Sequence, residues 1–388
     1  MEHHQQEEEK DTNECRNWSD LPEVLLLSVL DRLLTVPDVL AFAAVCSSWR
    51  PLAKSHAAAG STSRPPPLLL HCPVPLDVLR EDPPPPRECR FRIPSNDPRS
   101  YRTGVARRTL GGRCVGCSYG HLIVALTERT VVLVDAFTGA EIAPPDIGSS
   151  CRDVTCGILT APLSSSSSSM LVLTTSRDDR VMCWLPGSDE WYVSGSGFEF
   201  SPRARSLASY GGQEFCIDSD DNRLVMVDFS PRMTAKKLGS PLPRRPLPCM
   251  RNFSNYHLVD CGTELLLVLF VSAETSWMHC SLRIAIEVYR FDFSGMEWAR
   301  VDGLGDRCLF VDPVGRSPLS CRNPTRWGGR SNCVYVAGPG CDAWSVFPLD
   351  GSVIDAGATT STECPLSAAN WSMRTWPSPV WVYPSTLF

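Results

Sequence analysis

The residues with the clearest capacity for chemistry lie between positions 114 and 121. Gly116-Cys117-Ser118-Tyr119-Gly120 has the G-x-S-x-G spacing of a nucleophile elbow. That motif needs a strand before it and a helix after it, so that the serine is exposed on a strained turn. Here His121-Leu122-Ile123-Val124-Ala125 follows, which reads as a strand, and no acid and histidine downstream complete a triad. A hairpin turn is expected in place of a nucleophile. Cys114-Val115-Gly116-Cys117 is half of a zinc site with His121 as a conceivable third ligand, but a closed structural site takes four and no second C-x-x-C or H-x-x-x-H occurs. Asp218, Asp220 and Asn222 occupy positions 1, 3 and 5 of a calcium loop, yet Arg223 replaces the glycine at position 6 and Phe229 the glutamate at position 12. Those acids are expected to cap a turn. No P-loop or dinucleotide-binding glycine pattern is present. No catalytic residue, metal site or cofactor is expected, and a non-enzymatic protein follows.

Eighteen cysteines would suggest a disulfide framework in a short secreted chain. This chain has 388 residues, and its first twenty hold seven acids and two bases with no apolar run of a secretory signal. The cysteines are scattered in apolar stretches such as Val181-Met182-Cys183-Trp184, where they act as small hydrophobes, so reduced thiols are expected. Without secretion the three N-x-S sequons, at Asn17, Asn252 and Asn370, carry no function. The longest aliphatic and aromatic run is the seven residues Leu265–Val271, far short of the ~20 of a membrane span. A soluble protein of the cytoplasm and/or nucleus is expected, with no membrane partner. The formal charge is −6, and residues 1–20 contribute −5 of it. A nearly neutral body offers no clustered basic face for nucleic acid.

Whatever these residues do must be positioned by two unlike halves. Residues 1–17 are acidic and aperiodic and read as a disordered tail. Residues 18–56 form a helical block. Residues 57–89, with Arg64-Pro65-Pro66-Pro67 and Pro83–Pro86, read as a Pro-rich linker and early extended segment crossed by few contacts. From 90 to 388 short β-branched and aromatic runs alternate with Gly, Pro, Asp and Ser, and Ser164–Ser169 reads as a solvent-exposed loop. Val131–Asp135, Leu224–Asp228, Val288–Asp292, Trp344–Phe347 and Met182–Leu185 each precede a turn and a return strand. Their spacing, uneven around the ~40–50 residues of a propeller blade, points to a β-propeller of open blade number. Trp376, Val380, Trp381, Val382 and Tyr383 make a closing segment too apolar for a free tail, expected to pair near Arg90–Ile93 and close the ring.

In the helical block, Asp20-Leu21-Pro22-Glu23 is a helix-start signal, and Thr35 with Pro37 and Asp38 is a second. Six of the seven residues Val24–Leu30 are apolar, which covers nearly the whole helix circumference. Forty residues cannot bury that surface among themselves, so a partner is implied.

Trp18-Ser19-Asp20-Leu21-Pro22, the leucine-rich helix, Asp38 and Val45-Cys46-Ser47-Ser48-Trp49-Arg50 resemble an F-box. The later region is similar to the KIB-type, kelch-related β-propellers of plant F-box proteins, over roughly residues 66–385. The stretches that carry the likeness are Gly116–Leu122, Leu133–Pro144, Val288–Phe310, Asn332–Tyr335 and Trp381–Ser385, with His121 standing where the family usually has Trp. The resemblance implies an α + all-β chain, a three-helix F-box followed by a β-propeller. It implies docking to a Skp-type adaptor, and through it cullin, by Leu21, Pro22, Leu25, Leu30, Val45, Cys46, Trp49 and Arg50. The propeller would hold a target protein for a Skp–cullin–F-box ubiquitin ligase. The rival expectations are an F-box scaffold or regulatory protein acting outside ubiquitin transfer, and a kelch-propeller oxidase or hydrolase.

Overall fold

The computed structural model describes residues 18–58, 65–71, 89–94, 100–105, 109, 112–148, 154–163, 169–175, 181–194, 207–218, 220–229, 233–242, 256–272, 284–312, 316, 318–337, 344–349 and 379–385. The expected acidic tail, Pro83–Pro86 and most of the serine tract lie outside them.

A 3-10 turn at Trp18–Asp20 leads into α1 (Glu23–Leu30), α2 (Val36–Val45) and α3 (Trp49–Ala58). The start signal at Asp20 works differently from the expectation: Pro22 holds the N-cap position of α1 and no side chain caps it. Proline fits there because its φ is preset and it has no N–H to leave unsatisfied. The second signal acts as read. Thr35 is the N-cap of α2, its Oγ1 accepting from Asp38 N at 3.3 Å. Leu26, Leu30, Val39, Phe42, Trp49 and Ala53 fill the space between the three helices, with Phe42 stacked on Trp49 at 4.6 Å. Burial of each large side chain contributes ~1.5–3 kcal/mol.

The β-domain opens with β1 (Leu68–His71), β2 (Arg90–Arg92) and β3 (Ser100–Arg102). Four regular blades follow: β4 (Arg113–Ser118) to β7 (Glu141–Ile142), with β5 at His121–Ala125 and β6 at Val131–Asp135; β8 (Val154–Leu159) to β11 (Tyr192–Val193), with β9 at Leu171–Thr175 and β10 at Val181–Trp184; β12 (Leu207–Tyr210) to β15 (Thr234–Leu238), with β13 at Gln213–Ile217 and β14 at Leu224–Asp228; and β16 (Tyr256–Asp260) to β19 (Glu297–Arg300), with β17 at Leu265–Ser272 and β18 at Ile284–Asp292. The sixth blade comprises β20 (Arg307–Val311), β21 (Leu319–Arg322), β22 (Cys333–Ala337) and β23 (Trp344–Pro348). The last strand, β24 (Val380–Val382), joins β1–β3, so the described strands form six four-stranded sheets and the propeller has six blades.

Asp-turn chemistry sets the repeat. Asp135 Oδ1 accepts from Phe137 N and Thr138 N, and Asp292 Oδ1 from Ser294 N, which folds the third strand onto the fourth. Blade 6 departs from the template. Trp344–Phe347, read as the strand before the turn, lies in the outermost strand β23, and β20 pairs in parallel with β22 while β21 takes the inner edge.

Ring closure uses the C-terminal segment, with a partner other than the expected one. Leu68, Leu69 and Leu70 of β1 pair with Val382, Trp381 and Val380, and the expected Arg90–Ile93 segment lies one strand further out, paired to β1. The apolar triple Leu68-Leu69-Leu70 wins this position because it is buried on both faces, whereas Arg90 and Arg92 flank Phe91. The β-domain therefore begins before residue 90. The expectation of few contacts across the boundary also fails. Val36 at the start of α2 is fully buried in one cluster with Leu70, Phe91, Val134 and Val382, Leu40 packs against it, and Arg326 donates to the Asp31 carbonyl.

Candidate functional site

Each half offers a surface. On the helical module, packing divides α1 lengthwise. Leu26 and Leu30 point into the core, while Val24 (76% exposed), Leu25 (54%) and Val29 face outward, joined by Trp18 (72%) and, from the end of α2, Val45 (55%). Of the eight residues expected to dock an adaptor, Pro22, Leu25, Val45 and Arg50 are exposed and Leu21 and Cys46 half-buried. Leu30 (1%) and Trp49 (9%) are buried among the three helices. Those two hold the module together and present no outward surface in this structure. Trp18, Val24 and Val29, exposed beside them, were not among the expected eight, although a helical reading from Leu26 and Leu30 as inward positions leaves Val24, Leu25 and Val29 on the other side. Cys46 Sγ lies 3.1 Å from Ser48 Oγ, a contact that lowers its thiol pKa. His56 Nε2, 2.9 Å from Asp31 Oδ1, ties α3 to the end of α1.

In the β-domain, the G-x-S-x-G segment is a hairpin. Ser118 pairs with His121, and Tyr119 (φ 49°) and Gly120 (φ 79°) form the two-residue link between β4 and β5. Positive φ at both central positions is the backbone of a type I′ turn. Both glycines answer to close approaches. A Cβ on Gly116 would stand 1.9 Å from Gly157 O of the neighbouring inner strand, and one on Gly120 2.2 Å from Ser385 N. His121 Nδ1 donates to Tyr119 O at 3.1 Å instead of engaging Ser118. Burial pushes the Cys114 thiol up to about 11 and Cys117 well up.

The would-be calcium loop is the β13–β14 hairpin. Asp218 Oδ1 accepts from Asp220 N at 3.0 Å, and the Lys237 ammonium pairs with Asp218 and, at 3.0 Å, with Asp221. Those two carboxylates raise the Lys237 pKa. Among the described residues no group of three or more His, Cys, Asp or Glu side chains is placed to hold a metal ion. Ten described cysteines form no disulfide, but Cys89 is disulfide-bonded. The expectation of uniformly reduced thiols is corrected at that position, just before β2 in the closing blade.

The inner strands β4, β8, β12, β16 and β21, with Tyr383 after β24, surround an axial cavity of about 200 Å³. Its wall mixes Ile158, Leu159, Leu207 and Leu258 with Ser118, Tyr119, Ser209, Asp260 and Ser320. Arg316 also lines it. Its guanidinium donates to Asp312 Oδ1 at 3.1 Å and to Pro379 O at 3.1 Å, and its carbonyl accepts from Cys117 N at 2.9 Å. One buried arginine thus links blade 6, the closing strand and blade 2. Ser118 and Tyr119 stood out in the sequence as part of the G-x-S-x-G segment, whereas Ser209, Asp260, Arg316 and Ser320 had no signal, because only ring closure brings them together.

Residues 18–58 match the F-box-like family model, and residues 90–360 match that of the KIB1-4 beta-propeller. No curated protein matches. Similar solved structures include the N-terminal domain of Nup159, at 10% identity and TM-score 0.30, over 49% of this chain and 47% of that one. A second is a complex of an S. cerevisiae Dbp5 variant with Nup159, a Gle1 variant, IP6 and ADP, at 12% identity and TM-score 0.30, over 51% of this chain and 48% of that one. A third is the Neurospora crassa Pan2 WD40 domain, at 10% and 0.32, over 65% and 63%. The chain thus spans between about half and just under two thirds of the structures it matches.

Proposed function

Because this chain belongs to the KIB1-4 β-propeller family and carries an F-box-like domain ahead of the propeller, we propose that it is the substrate-recognition subunit of a Skp–cullin–F-box ubiquitin ligase. The helical module docks a Skp-type adaptor, and the propeller holds a target protein within reach of the ubiquitin-loaded conjugating enzyme. The receptor performs no bond chemistry. Its contribution is proximity, which turns a bimolecular transfer into a local one.

The observation that carries this reading is the outward apolar face of α1. Trp18, Val24, Leu25 and Val29 stay exposed on a module that has already filled its own core. A hydrophobic stripe left over after folding marks a contact surface. Aromatic and aliphatic side chains of this kind supply the anchors of protein interfaces.

The test is co-purification of the full chain with a Skp-type adaptor and cullin from a eukaryotic cell extract. The ligase reading expects both partners, with ubiquitylating activity in the complex. Adaptor without cullin would favour a scaffold acting outside ubiquitin transfer, and absence of both would sink the proposal.

A further inference from the structure

The tip of the β18–β19 hairpin departs in three ways from what local chemistry favours. The first is an ordered ring left at the surface. Phe293 is 40% exposed, yet Tyr210 from the β12–β13 turn of the preceding blade stacks on it at 5.7 Å. The Phe215 and Phe291 rings meet it edge-on at 5.7 and 5.0 Å. Tyr210 is itself held, its hydroxyl donating to Thr263 O at 3.0 Å. A Cβ on the adjoining Gly211 or Gly212 would meet nothing within 4 Å, so open ground borders the ring stack. The second departure is Met296, 37% exposed, in the left-handed region at φ 55°. A side chain other than Gly, Asn or Asp seldom takes that conformation, and glycine would relieve it. The third is a like-charge pair. Asp292 and Glu297 stand directly opposite each other across β18 and β19, an arrangement that destabilises a hairpin.

Among the described residues no Lys, Arg or His relieves that repulsion by an ion pair. Elsewhere the chain does neutralise such acids: Glu264 meets Arg290 and Arg307 at 3.2 and 2.6 Å, and Asp221 meets Lys237 at 3.0 Å. Arg290, two residues before Asp292, is thereby committed to Glu264. Local rules broken without a structural return concentrate where a surface is used. The rings are fixed before any contact, so covering them costs little side-chain entropy. Met296 adds an adaptable apolar contact. The carboxylates beside them call for a cation. A second copy of this chain docked tip to tip would set Asp292 and Glu297 against the same acids, and a nucleic acid would meet the same repulsion.

We propose that this hairpin tip docks the target protein, through a segment that sets an apolar side chain on Phe293 and Met296 and a neighbouring arginine or lysine on Asp292 and Glu297. This rests on the reading of the propeller as the target-holding half and names where the hold is made and the chemistry it selects.

The experiment selects a displayed library of random peptides on the full chain and measures the affinity of the recovered peptides by fluorescence anisotropy. Recovered sequences should join an aromatic or aliphatic residue to a neighbouring Arg or Lys. Phe293→Ala should weaken them at least ~10-fold. Asp292→Asn with Glu297→Gln should weaken them ~5-fold or more and flatten the salt dependence. Those two changes keep side-chain shape, and the amide oxygen can still accept from Ser294 N, so they test the charge should Phe293→Ala disturb packing. Met296→Gly separates use from architecture: the melting temperature should rise while peptide affinity falls. No recovered peptide, a consensus without a basic residue, or undiminished affinity in a folded Phe293→Ala or double amide variant would each overturn the proposal. Self-association in sedimentation that Phe293→Ala abolishes would also overturn it, in favour of a second copy. Adaptor capture is measured on the same protein, so a chain that binds adaptor but yields no such peptide refutes this inference alone.

Discussion

Replacing Trp381 with alanine should cost this protein a large share of its stability. Trp381 is fully buried in β24, donates Nε1–H to Val311 O at 3.0 Å and meets Phe310 and Trp344 edge-on at 4.8 and 6.3 Å. It therefore couples the closing blade to blade 6. Large-to-small substitution of a core Trp costs ~3–5 kcal/mol. Leaving the Val311 carbonyl unpaired adds about 1 kcal/mol. Against a domain stability of ~5–15 kcal/mol this is severe. At ~2–4 °C per kcal/mol, melting should fall by about 10 °C or more. Deleting residues 376–388 removes Val380, Trp381, Val382 and Tyr383 together. At ~1.5–3 kcal/mol each their burial is comparable to the whole stability, so a 1–375 chain should aggregate. Thermal and urea melts followed by circular dichroism measure both. A soluble 1–375 chain that unfolds cooperatively at the full-length temperature would refute closure by β24.

Three further perturbations probe other parts of the account. Removing residues 1–60 uncovers the cluster that buries Val36, so a 61–388 chain should melt below the full-length protein; equal melting temperatures would show that the helical module lends the propeller no stability. His257 is buried edge-on to Phe270 at 5.3 Å with both ring nitrogens unpartnered, and burial lowers its pKa to about 4. Its neutral form stabilises the fold above the unfolded pKa of ~6.5, and that contribution is lost as pH falls from there toward about 4, amounting to about 2 kcal/mol by pH 5. Urea melts should show this loss, and His257→Leu should remove that part of the pH dependence; an unchanged slope in the variant would contradict it. Gly116→Ala drives a methyl into Gly157 O and should cost at least the ~1–3 kcal/mol of overpacking, whereas Ser118→Ala should leave the melting temperature nearly unchanged; the reverse order would argue against a purely architectural turn.

What local chemistry decides was readable in the sequence. Thr35, Pro37 and Asp38 start a helix by capping, and Asp135 and Asp292 fold strand onto strand by accepting backbone N–H groups. The excess of apolar residues in α1 signalled an apolar face left outside the core, because three short helices can bury only one side of it. Which residues make up that face was harder to read, since Leu30 and Trp49 are as apolar as Leu25 and Val29 and differ from them in packing. Long-range pairing lay further out of reach. Leu68–Leu70 sits beside prolines and looks like the end of a linker until Val380–Val382 supplies its mate over three hundred residues later. The parallel pairing of β20 with β22 breaks the up-and-down order that the repeat suggests. Ser209, Asp260 and Ser320 are ordinary strand residues until six blades close around one axis.

Adaptor affinity of α1-face variants tests the central claim most directly. Leu25→Ala with Val29→Ala trims side chains that are already exposed and leaves Leu26, Leu30, Phe42 and Trp49 in place, so the module should remain folded and helical. Losing interface anchors at ~2 kcal/mol or more predicts at least a ~30-fold rise in Kd for a purified Skp-type adaptor. The same Kd in a folded double variant as in the unaltered chain would contradict docking through this face.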